Sequence, residues 1–155
     1  MDFNKFDTVK AAEQGADLHI KCSVTLKPLY DNPEDRYADN GKPCCVTLLG
    51  AEAPSVRAAA REMQKARAAA KNEDAENTEM VSLDDVHERM IEALVPRVIG
   101  FKNIHNGDKP ATKKDATWFF NLNRMNGVEG EKSFAEQAAE FSGRRAGYLG
   151  NVLGG

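Results

Sequence analysis

The sequence predicts an α+β protein with an N-terminal antiparallel β-hairpin or small sheet, a long linking helix and a C-terminal helical module. Three observations carry that reading. Residues 16–26 alternate apolar and polar side chains with the period of a strand; residues 53–71 are dominated by strong helix formers; and Ser or Thr followed three residues later by an acid recurs after residue 80, as in helix capping boxes. The divisions that follow are a β-rich module over 1–52, a long helix and polar linker over 53–78, a helical module over 79–150 and a flexible tail over 151–155.

In the first division Leu18, Ile20, Cys22, Val24 and Leu26 fall on one face of the expected strand, with His19, Lys21, Ser23 and Thr25 on the other. Turn formers then concentrate in Leu29-Tyr30-Asp31-Asn32-Pro33-Glu34-Asp35 and Asp39-Asn40-Gly41-Lys42-Pro43, and Cys44 to Leu49 forms a second β-rich run. A hairpin with a long acidic loop accommodates both strands. After Gly50, Pro54 and Ser55 suit the first turn of a helix that continues to about Lys71. Its apolar positions, Val56, Ala59, Ala60, Met63, Ala66 and Ala70, make a thin stripe of small residues, while Arg57, Arg61, Lys65 and Arg67 sit elsewhere on its surface.

Asn72 to Thr78 is polar and acidic and reads as a linker. Ser82-Leu83-Asp84-Asp85 opens a second helix whose core face carries Leu83, Val86, Met90, Ile91, Leu94 and Val95, and Pro96 stops it. Residues 97–104 read as a short extended segment closed by the turn-prone His105-Asn106-Gly107-Asp108. Thr112 opens a helix bearing Ala116, Phe119, Phe120 and Leu122, with Trp118 on its flank. Ser133 opens another that runs through Phe141 towards Arg145, with Gly143 as its weak point. The Gly-rich end from Gly147 is expected to fray.

Composition narrows the function classes. A chain of 155 residues suits one domain, and 41% hydrophobic residues with only 7% aromatic allow a modest core. A net charge of -3 disfavours a protein that coats nucleic acid. No stretch approaches the length of a membrane span, and Met1 to Phe6 lacks the basic-then-apolar pattern of a signal peptide. Cys22, Cys44 and Cys45 have no metal-ligand spacing and read as reduced side chains. His19, His87 and His105 are scattered, and no nucleophile elbow or phosphate loop is present, so neither an enzyme nor a cofactor is expected. Asp31, Glu34, Asp35 and Asp39 depart from the calcium-loop pattern, and no metal site is expected.

Several segments together carry a family resemblance. They are Phe3 to Ala16; Pro28-Leu29-Tyr30-Asp31; Asn40-Gly41-Lys42-Pro43; Val46 to Gly50; Val98, Gly100-Phe101 and Asn103-Ile104 followed by Gly107-Asp108-Lys109-Pro110; and Gln137, Glu140, Phe141, Arg144, Arg145 and Tyr148 to Asn151. In these the chain resembles the tail assembly chaperones of long-tailed bacteriophages. The resemblance implies a protein of the host cytoplasm that keeps the tape measure protein soluble until tail tube subunits polymerise round it, and that is absent from the finished virion. For such a role the expected contact residues are Val56, Ala60, Met63 and Ala70 of the long helix, together with Trp118. A structural virion component, either a minor tail or a head-tail joining protein, is the rival expectation. A nucleic-acid-binding regulator using Arg57, Arg61, Lys65, Arg67 and Lys71 ranks below both because of the acidic net charge.

Overall fold

A computed structural model describes residues 1–71 and 82–149. The expected linker over Asn72–Thr78 and the tail over 151–155 lie outside the described residues. In chain order the elements are helix α1 (Thr8–Gln14), strands β1 (Ala16–His19), β2 (Tyr30–Asp31), β3 (Lys42–Pro43) and β4 (Cys45–Leu48), helices α2 (Pro54–Lys71) and α3 (Leu83–Leu94), strands β5 (Val98–Lys102), β6 (His105–Asn106) and β7 (Lys109–Pro110), and helices α4 (Ala116–Phe120), α5 (Phe134–Ser142) and α6 (Ala146–Leu149). The fold is α+β.

The main sheet has the order β1-β4-β5, antiparallel throughout, with Leu18 opposite Val46 and Val46 opposite Phe101. The hairpin expected between the first two strands is present, but its centre strand also takes a partner from residue 98 onward. That third strand ties the two halves of the chain into one core. Ile20, Val46 and Leu48 from the N-terminal half pack with Ile91, Leu94, Val98, Phe119, Phe120 and Ala138 from the C-terminal half. Burying these side chains is the main stabilising term for the fold. A smaller cluster of Ala12, Ala53 and Val56 joins α1 to the first turn of α2. Gly50 stands between them because a Cβ there would meet Ala12 Cβ at 2.7 Å.

The caps read from sequence do form. The Ser82 hydroxyl accepts the Asp85 N–H at 3.1 Å, the Asp115 carboxylate accepts the Thr112 N–H at 2.8 Å, and the Ser133 hydroxyl accepts the Glu136 N–H at 3.2 Å. Helix α5 stops at Ser142 with Gly143 as its cap.

Four details correct the sequence expectations. The first strand ends at His19 rather than Leu26, because the Cys22 N–H donates to Lys27 O and the Leu26 N–H to Cys22 O, each at 2.9 Å, closing a tight turn with Leu26 at φ 57. The alternating pattern continues through this turn, but Val24 at its tip is 62% exposed. Helix α4 ends at Phe120, where the Asn121 side chain donates to Thr117 O at 3.0 Å, and this leaves Leu122 53% exposed instead of on a core face. Leu83 likewise faces out, while His87, one turn before Ile91, is fully buried. Finally, residues 147–149 belong to α6, whose Tyr148 ring packs tilted against Phe141 with centroids 5.5 Å apart.

Candidate functional site

A largely apolar groove of about 410 Å³ opens between the Leu29–Pro33 segment, the Asn103–His105 turn and helix α4. Each wall is fixed by main-chain chemistry that begins at the end of β1. Ile20 donates to Cys44 O at 2.9 Å, Leu29 donates to Ile20 O at 2.9 Å, and Cys44 donates to Leu29 O at 3.1 Å. These bonds bring the far ends of the long acidic loop back beside the sheet. Asn103 adopts a left-handed conformation, φ 59, which asparagine tolerates, and its amide donates to Pro43 O at 2.9 Å. The Ala111 N–H reaches Ile104 O at 2.8 Å and leads the chain into the cap of α4.

The floor of the groove is the hydrophobic core itself. Ile20 and Phe119, both fully buried, line it together with the half-buried Leu29, Ile104 and Phe134. Phe119 stacks on Phe134 with ring centroids 4.9 Å apart and meets Phe101 edge-on at 5.1 Å. Such aromatic pairs add about 0.5–1.5 kcal/mol each beyond the area they bury. Trp118 and the exposed Leu122 stand on the rim. Asp31 is the one carboxylate in the lining, and no Lys or Arg is among the lining residues. Burial, and then the charge of Asp31, pushes the Cys44 thiol up to about 11. It is protonated at neutral pH and acts as part of an apolar wall rather than as a nucleophile.

The structure separates the five expected contact residues. Trp118 lines the groove, whereas the four from α2 do not. Val56 is 5% exposed, inside the small α1–α2 cluster, so it faces inward and is unavailable to a partner. Met63 is half-buried, and Ala60 and Ala70 are exposed. Sequence reasoning missed Leu29, Asp31, Ile104, Leu122 and Phe134 as companions of Trp118. The only local signal was the pairing of apolar residues with turn formers around Leu29 and Ile104.

Other polar groups serve the frame. Arg97 donates to the Ser142 hydroxyl at 2.8 Å, and that hydroxyl donates to Leu49 O at 3.1 Å. Burial lowers the pKa of Arg97 and raises that of Tyr148 to about 12 beside it. Among the described residues no group of three His, Cys, Asp or Glu side chains converges as a metal ion would require, and no helix is long and apolar enough to cross a membrane.

Fold and groove together define a small α+β protein with an open apolar surface continuous with its core. No protein-family model, curated protein or solved structure matches the chain.

Proposed function

We propose that this protein is a non-enzymatic binder of another polypeptide, and that it works as the tail assembly chaperones it resembles do, by keeping a tape measure protein soluble in the host cytoplasm during tail assembly. The observation that carries the reading is the Trp118 groove, an apolar cleft floored by buried, closely packed core side chains. A holding protein needs such a surface. It must take large apolar side chains of a client out of water while binding weakly enough to release them when tail tube subunits arrive. Its volume lies within the range of pockets that take a few side chains. The exposed Ala60 and Ala70 of α2, with Met63, offer a shallower second contact.

The test is co-expression with the tape measure protein of the same genome, followed by pull-down and by mass spectrometry of purified virions. A client that becomes soluble and co-purifies, with virions lacking this chain, supports the proposal. Stoichiometric presence in virions makes the chain a minor tail or head-tail joining component instead.

A further inference from the structure

The open edge of β1 offers a second binding surface. In the β1–β4 ladder Leu18 faces Val46, and Ile20 donates to Cys44 O. Because hydrogen bonding alternates along an antiparallel strand, the main-chain groups of the even-numbered residues turn towards β4 and those of Asp17, His19 and Lys21 turn outward. At Lys21 those outward groups are already taken. The Gln137 side chain of α5, itself buried, accepts the Lys21 N–H at 2.9 Å and donates to Lys21 O at 2.9 Å. One side-chain amide thereby makes the pair of bonds that a neighbouring strand would make. Further along, Lys132 N–H closes off Ser23 O at 2.9 Å. The N–H and C=O of Asp17 and His19 have no hydrogen-bond partner among the described residues.

A groove of about 240 Å³ lies between this edge and α5, with Leu18, Leu26 and Phe141 supplying apolar wall. Its charged lining is cationic on balance. Lys132 is paired with Glu140 at 2.9 Å, whereas Lys21 and Arg144 enter no ion pair among the described residues. An unpaired edge with apolar wall on one side and free cations at its mouth selects an extended polypeptide that alternates acidic and apolar residues.

We propose that β1 accepts an extended acidic segment of a partner protein by strand addition, continuing at His19 and Asp17 the pairing that Gln137 imitates at Lys21. The segment's main chain bonds to the open edge, its apolar side chains face Leu18 and Phe141, and its carboxylates meet Lys21 and Arg144. This surface is distinct from the Trp118 groove and shares none of its lining residues. The proposal therefore stands or falls independently of the client reading.

The probe is a capped synthetic peptide, Glu-Val-Glu-Val-Glu, with Lys-Val-Lys-Val-Lys as its charge-reversed control, titrated into the isotope-labelled full chain. Saturable binding of the acidic peptide, with the largest amide shifts and slowed hydrogen exchange at Asp17 and His19 and affinity falling as salt rises, supports the proposal. The double variant Lys21→Glu, Arg144→Glu, altered only at exposed positions, should weaken binding at least about tenfold with an unchanged circular dichroism spectrum. No saturable binding, equal binding of the lysine peptide, shifts centred on Trp118, or tighter binding of a single-stranded oligothymidine would each overturn it.

Discussion

The rings of Phe119 and Phe134 lie 4.9 Å apart and 10° from parallel, so the first residue of α5 holds the floor of the groove formed by α4. Phe119→Ala removes a fully buried ring and should cost about 3–5 kcal/mol, read as a lower urea midpoint at unchanged slope. Trp118→Ala, at the half-buried rim, should cost markedly less stability. If both variants were equally destabilised, Trp118 would belong to the core and not to a binding rim.

Client binding provides a separate comparison. Leu122→Asp places a second carboxylate among the groove's lining residues, on the exposed rim, and should weaken capture of a tape measure protein roughly tenfold or more while leaving the midpoint of unfolding nearly unchanged. Ala60→Glu with Ala70→Glu, on exposed positions of α2, should weaken it by a smaller factor. A larger loss from the α2 pair than from Leu122→Asp would move the client site to the long helix.

His87 is buried and its Nε2 lies 3.2 Å from the Asn121 side-chain oxygen, while Nδ1 has no partner among the described residues. Since the Asn121 amide nitrogen already donates to Thr117 O, its oxygen accepts from His87, and Nδ1 is left buried without a partner among the described residues. His87→Leu removes that unpaired atom at similar volume and should leave stability within roughly 1 kcal/mol of the parent or raise it. His87→Ala opens a cavity and should cost about 2 kcal/mol or more in the same denaturation experiment.

The three thiols should separate by reactivity. The Thr25 hydroxyl, followed by the main chain of Thr25 and Val24, lowers the Cys22 thiol to about 6. Cys44 stands at about 11, and burial raises Cys45 as well. At pH 7 iodoacetamide should label Cys22 first, with its rate falling below about pH 6 as the thiolate is lost. Peptide mass spectrometry against time gives the order, and labelling of Cys44 ahead of Cys22 would contradict it.

Acid should weaken the fold through two carboxylates. Burial works to raise the Asp17 pKa, yet the hydrogen bonds from Lys102 and Thr47 outweigh it and hold Asp17 below its ordinary value; the hydrogen bond from Arg145 does the same for Glu52. A folded value below the unfolded one adds stability above roughly pH 4, and that stability is lost as the pH falls through the folded value. Urea midpoints measured from pH 7 to pH 2 should fall at the acid end, and Asp17→Asn should flatten part of that decline.

Local chemistry made much of the fold legible in the sequence. Ser82 and Ser133 act within one turn of the helices they open, Thr112 caps the 3-10 turn Lys113–Asp115 that leads into α4, and α2 follows from a run of strong helix formers. The pairing of β1 with β4 was also readable, because both strands announce themselves by composition. Of the groove, only Trp118 was singled out.

Tertiary structure decided the rest, because it rests on contacts between residues far apart in the chain. The joining of β5 to β4 and the burial of His87 on the face that carries Ile91 and Leu94 each depend on a distant partner. The same is true of the two surfaces proposed for binding. Leu29, Ile104 and Phe134 become one apolar wall, and Gln137 comes to pair with Lys21, only when closing the core brings loops, sheet and α5 together. Periodicity reports which face of an element is apolar; what that face meets is set by loop closure and packing, which no local pattern encodes.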